Sequence, residues 1–229
     1  MAYCNEAVKE INLPIVQQYI RGVNSVLDIG CGTGCFVEAA KSLGMQSEGL
    51  ELDKSNSLFA ASRGLKVHNV CIEECVTKKK YDLIHMTNAF NYFTDPLLAM
   101  QKVRSMLSDA GVFVMQDKDY LFSPLNPHNN FTNNAAWIQP RQYLTYASIY
   151  NLLRLARLEI VHYKRRSGRF ILIAVISSSS SGIKTSSIIY RIHLVYLRNI
   201  RYIDKAINYI YSTLRPIYRA LIQLRNKIK

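Results

Sequence analysis

The sequence predicts an α/β fold: a seven-stranded, mainly parallel sheet, an antiparallel C-terminal hairpin and a C-terminal helical extension. Short β-rich runs alternate with helical stretches through residues 25–176, an order that produces a parallel sheet. The last two runs are separated only by residues 165–168, which is too short for a crossover between parallel strands. These two strands are therefore predicted to pair antiparallel at one end of the sheet.

The elements follow from the sequence in chain order. The predicted strands are SVLDIG, SEGLEL, LKVHNV, YDLIHMT, GVFVMQD, LEIVHYK and RFILIAVI. Helices are predicted to fill most of the gaps, at residues 35–43, 56–63, 96–107 and 147–155. The run SSSSSGIKTSS, residues 177–187, cannot bury enough apolar surface to order itself and is predicted to be a linker. Residues 1–176 then form one domain, and residues 188–229 form a helical tail.

The positive charge belongs mainly to the tail. The net charge is +13, and residues 183–229 carry 10 of the 29 basic residues but only one of the 16 acidic residues. The chain as a whole has 49% hydrophobic and 20% charged residues, which argues against global disorder. No run approaches the roughly 20 apolar residues that a membrane-spanning helix requires.

The N-terminal segment and the cysteines predict a cytoplasmic protein. Glu6 and Glu10 stand where a secretory signal would need an apolar core. An odd number of cysteines without such a signal predicts free thiols; they are Cys4, Cys31, Cys35, Cys71 and Cys75. Four of them form two C-x-x-x-C pairs, whereas structural zinc sites usually have tighter spacings, so no metal site is predicted.

A glycine-rich loop follows the first strand in VLDIGCGTG, residues 26–34. Its glycines, Gly30, Gly32 and Gly34, allow a tight turn and a close approach to a ligand. The pattern matches neither the P-loop nor the full dinucleotide motif. Asp28 would repel a pyrophosphate but suits a cationic ligand, and Glu51 ends the next strand, where an acid can accept both hydroxyls of a ribose. A ligand with an ammonium, a sulfonium and a ribose fits this pattern, and S-adenosylmethionine is such a ligand.

These motifs resemble the class I S-adenosylmethionine-dependent methyltransferases, in the branch that acts on small molecules. VLDIGCGTGCFVEAAKSLG resembles their first motif and GLELDKSNSLFA their second. YDLIHMTNAFNYFTDP and LSDAGVFVMQD match the fourth and fifth strands, and YLTYASIYNLLRLARLEIVHY resembles the last helix and strand. The resemblance covers about residues 20–176 and implies a Rossmann-like sheet and methyl transfer.

The resemblance also implies roles for individual residues. The methionine part of the donor would be held by Asp28 and by the loop residues Gly30, Cys31, Gly32 and Gly34. The remaining positions would serve the nucleoside and the sulfonium: Glu51 the ribose, Leu52 the adenine face, Ile72 and Glu73 the adenine edge, and Asn88 the sulfonium and methyl side. For Glu73, an exposed surface acid is an equally good interpretation.

The chain departs from many relatives where a catalytic base is expected. Asn91 and Tyr92 occupy the place of a common Glu-His pair, and IQPRQYLTY lacks the histidine that often precedes the last helix. Because the sulfonium is a strong leaving group, positioning and desolvation can supply much of the catalysis. The catalytic candidate is His128, and Tyr92, Asp117 and Tyr143 are weaker candidates. A solvated loop histidine is the simpler interpretation of His128, and His85 is interpreted as a packed core residue.

The acceptor is predicted from residues 118–143, a segment long enough to be a lid. Its aromatic and amide side chains suit a sugar or an aromatic ring, although an ordinary cover for the sheet edge is equally compatible. O-methylation of a sugar, a glycolipid or a nucleotide-sugar intermediate is the leading expectation, followed by a quinone-type or lipid acceptor. The missing histidines leave open a catalytically inactive binding module, against which the intact donor motifs argue.

The tail has one continuous apolar seam. Isoleucine and leucine recur every three or four residues from Ile200 to Ile228, with basic residues and tyrosines beside them and Pro216 interrupting the helix. The seam could pack on the chain's own domain, on a partner helix or second subunit, or on an anionic membrane surface at its cytoplasmic face. Nucleic acid is not expected, because aliphatic residues fill the face that its contacts would need.

Overall fold

A single seven-stranded sheet dominates the structure, a computed structural model that describes residue 19 and residues 22–118, 146–166 and 169–178. The strands are β1 (Ser25–Ile29), β2 (Gln46–Leu50), β3 (Val67–His68), β4 (Tyr81–Thr87), β5 (Leu107–Lys118), β6 (Leu158–Arg166) and β7 (Arg169–Ile176). The α-helices are α1 (Cys35–Ser42), α2 (Lys54–Ser62), α3 (Pro96–Met106) and α4 (Tyr146–Leu155), and a 3₁₀ turn covers Phe90–Tyr92.

The strand order is β3-β2-β1-β4-β5-β7-β6. The first five strands in this order run parallel to one another, and β7 is antiparallel to both β5 and β6. The order reverses direction between β1 and β4, and ligands of open α/β sheets bind at such a switch point, outside the carboxyl ends of the strands. The predicted sheet with its late antiparallel hairpin is confirmed.

Two strands differ from the predicted runs. β3 is reduced to two residues, because only Val67 and His68 pair with β2. β5 begins directly after α3 at Leu107, which pairs with Tyr81, whereas Leu83 pairs with Val112. The residues between Leu107 and Val112 therefore bulge out of register, and Gly111 is required there because a Cβ would lie 2.8 Å from the Tyr81 carbonyl oxygen.

The core has one layer on each face of the sheet. Because side chains alternate along a strand, Leu27 and Ile29 of β1 face α3 and α4, whereas Val26 packs with Phe36 of α1. Asp28 lies on the same face of β1 as Val26 and is also buried. A charged residue inside an otherwise apolar layer needs a partner, and this partner lies in the functional site.

The chain divides into two compact units, Met1–Ser181 and Gly182–Lys229. The second unit lies outside the described residues, so the proposed roles of the tail stay predictions, as do the predicted domain boundaries. Within the described ranges, no helix combines the length and the apolarity needed to cross a membrane.

One cysteine departs from the sequence-based expectation. Cys31, Cys71 and Cys75 are free, as predicted, but Cys35 takes part in a disulfide. The prediction of free thiols is therefore wrong at this position. Cys35 is half-buried at the first residue of α1, and pairing depends on which Cα atoms the fold brings close together, which residue counts do not reveal. None of the other described cysteines is its partner.

A buried acid on β2 gives the fold a pH dependence. Glu48 is 4% exposed and is surrounded by Lys66, His68 and Lys79. Burial alone would raise the pKa of Glu48, but hydrogen bonds from the Lys79, His68 and Lys66 side chains lower it from 4.5 to about 2. The unfolded chain therefore takes up this proton first as the pH falls. The stabilisation is complete above about pH 4.5 and is lost between that pH and about pH 2.

We expect Glu48→Gln to lower the free energy of unfolding at neutral pH by roughly 2 kcal/mol, because it leaves the cations without their carboxylate. Denaturant unfolding across the acid range measures this. The difference between the wild type and the variant should shrink as the pH falls. A difference that is constant with pH would contradict the assignment.

Candidate active site

The glycine loop turns back over the neighbouring strand. The backbone N–H groups of Gly30 and Cys31 both donate to the Leu50 carbonyl oxygen, at 2.8 and 3.0 Å, which fixes the loop at the carboxyl ends of β1 and β2. Gly34 then begins α1 as its N-cap, with a φ of 83° that glycine adopts without strain. The predicted loop glycines are therefore brought together at the switch point of the sheet.

Two of these glycines are required for different reasons. Gly30 has a φ of 70°, and a Cβ there would lie 2.6 Å from the Ala89 Cβ, so the loop after β4 packs directly on it. Gly32 has a φ of 55°, but no atom of the described residues lies within 4 Å of its ideal Cβ position. The space above Gly32 is therefore open, and it is the place where a bound ligand can approach the backbone.

Glu51 connects the glycine loop to the start of α2. Its Oε2 accepts from the Gly32 backbone N–H at 2.7 Å, and its Oε1 accepts from the Asp53 backbone N–H at 2.8 Å. The carboxylate is half-buried, and each oxygen keeps a further lone pair for a ligand. This arrangement preorganises an anionic acceptor of hydrogen bonds beside the open space above Gly32.

The segment after Glu51 exposes an apolar side chain. Leu52 is 70% exposed, although its backbone is fixed, because the Asn69 Nδ2 donates to the carbonyl oxygens of both Glu51 and Leu52. Asp53 caps α2 by accepting from the Asn56 backbone N–H at 2.8 Å. An exposed leucine on a rigid backbone next to Glu51 is a suitable surface for an aromatic base.

The two residues predicted at the adenine edge differ in how far their side chains are exposed to a ligand. Ile72 is 1% exposed and packs within the main core cluster, so its side chain belongs to the core beneath the loop. Glu73 is half-buried, and its Oε1 accepts from the backbone N–H groups of Thr94 and Asp95 at 2.9 and 3.4 Å. It therefore ties its own loop to the segment that precedes α3. Contact of either residue with adenine stays a prediction.

Asp28 finds its partner on the adjacent strand. Asp28 and His85 are register partners in β1 and β4, and the Asp28 Oδ1 lies 2.7 Å from the His85 Nδ1. The His85 Nε2 lies 3.1 Å from the Thr87 Oγ1, and its ring stacks on Phe36 at a centroid distance of 3.6 Å. Because a carboxylate can only accept a hydrogen bond, the His85 Nδ1 carries the proton and donates the hydrogen bond to the Asp28 Oδ1. His85 is a buried core residue, as predicted, and it also orients Asp28.

Cys31 serves packing within the loop. Its side chain is 8% exposed and lies against Gly49, where a Cβ would be only 2.4 Å from the Cys31 Sγ. Burial raises the pKa of the Cys31 thiol, and the nearby charges of Asp28 and Glu51 raise it further. The thiol is therefore protonated at neutral pH and is not a nucleophile.

Asn88 lies where the loops after β1 and β4 meet. It has a left-handed φ of 54°, and its backbone N–H donates to the Gln116 carbonyl oxygen at 3.0 Å. The Arg169 Nη2 donates to the Asn88 Oδ1 at 3.3 Å, so a residue of β7 reaches the end of β4. The next residue, Ala89, packs on Gly30, so Asn88 lies near the glycine loop. Its predicted contact with the sulfonium and methyl side stays a prediction.

The catalytic candidates are only partly described. Tyr92 lies in the 3₁₀ turn after Asn88 and is 46% exposed. Its neighbour Asn91 is buried and donates from its Nδ2 to the Asp117 Oδ1 at 2.9 Å. His128 and Tyr143 lie outside the described residues, as does nearly all of the proposed lid.

Sequence reasoning missed three contributors to this site. Asn69 directly follows β3, and its role appears only through its side-chain bonds to the Glu51 and Leu52 carbonyl oxygens. The partnership of His85 with Asp28 becomes visible only when β1 and β4 are aligned in register. Arg169 was not considered because it is distant in sequence, and only the antiparallel direction of β7 brings it to the carboxyl edge.

Comparison with known proteins places the chain in a family. A family model described as "Methyltransferase domain" matches residues 5–163. Two curated relatives named "Ubiquinone biosynthesis O-methyltransferase" match parts of the chain: 29% identity over 114 residues for Histophilus somni and 26% over 96 residues for Rhodopseudomonas palustris. These matches cover 44% and 39% of this chain, and 48% and 38% of the relatives' own length.

A solved structure shows the same fold. It is an S-adenosylmethionine-dependent methyltransferase from Clostridium acetobutylicum, with 16% sequence identity and a TM-score of 0.60, covering 72% of this chain and 89% of that protein. The family match spans more than half of the chain and includes the loop, Glu51, Asn88 and β4. The chain therefore belongs to the methyltransferase-domain family, within the class I S-adenosylmethionine-dependent methyltransferases.

Proposed function

We propose that this protein transfers the methyl group of S-adenosylmethionine to a hydroxyl oxygen of a small aromatic acceptor. The observation that carries the donor half of this proposal is the Glu51 carboxylate, which is held by the Gly32 and Asp53 backbone N–H groups beside the open space above Gly32. The chain spans less than half the length of the curated relatives it matches, and the acceptor is the part of the proposal that these relatives suggest.

The residues of the site fit the chemistry of the donor. Glu51 offers two anionic oxygens to the ribose hydroxyls, and charge-assisted bonds of this kind are stronger than neutral ones. Leu52 offers an exposed apolar side chain to the adenine. Gly32 permits a close approach to the backbone, and Asp28 supplies negative charge near the ammonium and the sulfonium. The donor supplies an activated methyl group on a strong leaving group.

The relatives support an oxygen acceptor on an aromatic ring. Their names assign them to O-methylation in the biosynthesis of a quinone. The sugar acceptor expected from the sequence rests on the aromatic residues of the proposed lid, which lie outside the described part of the chain. A ring hydroxyl is also easier to ionise than a sugar hydroxyl, which suits a site in which the usual catalytic histidines are absent.

The protein's own residues would act mainly by positioning. The contact between Gly30 and Ala89 holds the donor loop against the loop of Asn88, so both substrates meet over one rigid corner of the sheet. In-line methyl transfer gains most from such alignment and from the exclusion of water. Tyr92 lies close to Asn88 in the chain and can hydrogen-bond an acceptor at this corner.

Incubation of the full chain with radiolabelled S-adenosylmethionine and separate pools of catechols, sugars, nucleotide sugars and lipids tests the acceptor. We expect label in the catechol pool, released as a methyl ether. Label in the sugar or lipid pool alone would contradict the aromatic acceptor but leave methyl transfer intact. Donor binding without label in any pool would favour the inactive binding module.

A matched pair of glycine variants tests the donor site. Gly32→Ala and Gly44→Ala both place a Cβ at a residue with positive φ and open surroundings, so each should cost about 1–2 kcal/mol of stability. Only Gly32 lies in the loop, so we expect donor affinity to fall at least tenfold in Gly32→Ala and to remain unchanged in Gly44→Ala. Calorimetry with S-adenosylmethionine measures both. Equal effects in the two variants would show that strain alone is responsible.

A further inference from the structure

We propose that Arg169 binds an anionic oxygen of the acceptor at the point of methyl transfer, so that the protein selects acceptors that ionise, such as phenols. This inference rests on the proposed function and specifies the substrate class of the same site. Its basis is the position of the Arg169 guanidinium beside Asn88, described above, which no comparison assigns.

The direction of β7 brings Arg169 to the site. β7 is antiparallel to β5, so its first residue lies at the edge where β4 and β5 end. β5 separates β7 from β4, yet the Arg169 Nη2 bonds the Asn88 Oδ1 at 3.3 Å. The side chain must therefore reach across the carboxyl end of β5 to the corner where the loops after β1 and β4 meet.

The guanidinium has unused hydrogen-bonding capacity there. Arg169 is half-buried, its Nε is buried, and among the described residues the Nε makes no hydrogen bond. Its Nη2 donates to a neutral amide, and within the described part of the chain Arg169 forms no ion pair. A buried donor without a partner is costly, and a planar guanidinium is shaped to bind a carboxylate or another oxyanion.

The two positions that pair with Arg169 are also basic. Lys118 of β5 and Arg166 of β6 are the two register partners of Arg169, so three basic residues form one row across three adjacent strands. A guanidinium beside a bound sulfonium is unfavourable unless an anion lies between them. An acceptor oxyanion would satisfy the Arg169 guanidinium and would also be the nucleophile.

This arrangement explains how the site works without the usual histidines. An opposite charge within about 4–6 Å lowers the pKa of an acidic group by roughly 1–3 units. Arg169 would thus favour loss of the phenol proton to water before transfer. The oxyanion then forms the new bond to the methyl carbon while the bond from that carbon to sulfur breaks, and the electron pair stays on the sulfur as the neutral thioether.

The test uses 4-nitrocatechol, whose phenolate absorbs visible light, so that its ionisation is measured without methyl transfer. We expect the probe bound to the wild type to ionise about one pH unit lower than the free probe. This shift should be lost in Arg169→Gln and partly retained in Arg169→Lys. Lys164→Gln is the matched control, because it removes an exposed charge from the same hairpin and should keep the shift.

The outcomes separate this inference from the proposed function. A shift in the wild type that only the Arg169 variants lose supports the inference, whether or not the donor binds. Equal ionisation on the wild type and Arg169→Gln, or no binding of the probe to the wild type, overturns it. Calorimetry with S-adenosylmethionine on the same variants tests the donor site independently, and we expect donor affinity to be unchanged in Arg169→Gln.

Discussion

Replacing Glu51 by glutamine is expected to lower the affinity for S-adenosylmethionine roughly a hundredfold. The variant loses two charge-assisted hydrogen bonds to the ribose, together worth about 2–3 kcal/mol. It also places an amide N–H against the Gly32 or Asp53 backbone N–H, since a glutamine has only one accepting oxygen and Glu51 uses both of its oxygens. Isothermal titration with the donor measures the loss.

Glu74→Gln provides the control for this prediction. Glu74 is an exposed acid outside the site, so the variant has the same change of charge without the contacts. Donor affinity should match the wild type within a factor of two or so. Denaturant unfolding of both variants separates loss of binding from loss of fold. If Glu51→Gln binds the donor as tightly as Glu74→Gln does, the assignment of Glu51 to the ribose is wrong.

His85→Leu is expected to have the largest effect on stability. The substitution keeps an apolar side chain near Phe36 but leaves the Asp28 carboxylate, which is 4% exposed, without its 2.7 Å donor. Removing one partner of a buried charged hydrogen bond costs about 2–4 kcal/mol. Donor affinity should also fall about tenfold, because Asp28 is no longer held in one orientation. Unfolding curves and donor titrations measure the two effects separately.

Two further variants make the role of His85 specific. Thr87→Val keeps the side-chain shape but removes the 3.1 Å contact to the His85 Nε2, and should cost only about 1 kcal/mol. The double variant His85→Leu with Asp28→Asn should lose less stability than the sum of the single variants, because both remove the same interaction. Strict additivity would mean that the His85–Asp28 bond contributes nothing to the fold.

Much of the fold could be predicted from the sequence, because each strand has a local signal. The run SVLDI and the run RFILIAVI are apolar and bounded by turn residues, and both form strands in the structure. The antiparallel direction of β7 followed from the length of one connection. The bulge between Leu107 and Val112 could not be predicted, because it depends on which residues of β4 and β5 pair, and pairing is a tertiary property.

The site was predictable where function depends on consecutive residues. Gly30, Gly32 and Gly34 lie in one loop, and Glu51 ends the next strand, so spacing alone places them together. Contributors from distant strands were not predictable in this way. His85 meets Asp28 through strand register, Arg169 reaches Asn88 across β5, and Cys35 forms a disulfide. The roles of His128, Tyr143 and the tail stay predictions.

The most direct test of the central claim is calorimetric titration of the full chain with S-adenosylmethionine, alongside Asp28→Asn. We predict saturable binding at one site in the wild type. We predict that the neutral variant, which keeps the shape of Asp28 but not its charge, binds at least tenfold more weakly while remaining folded. Failure of the folded wild type to bind the donor, or equal binding by the variant, would contradict the assignment of this loop as the donor site.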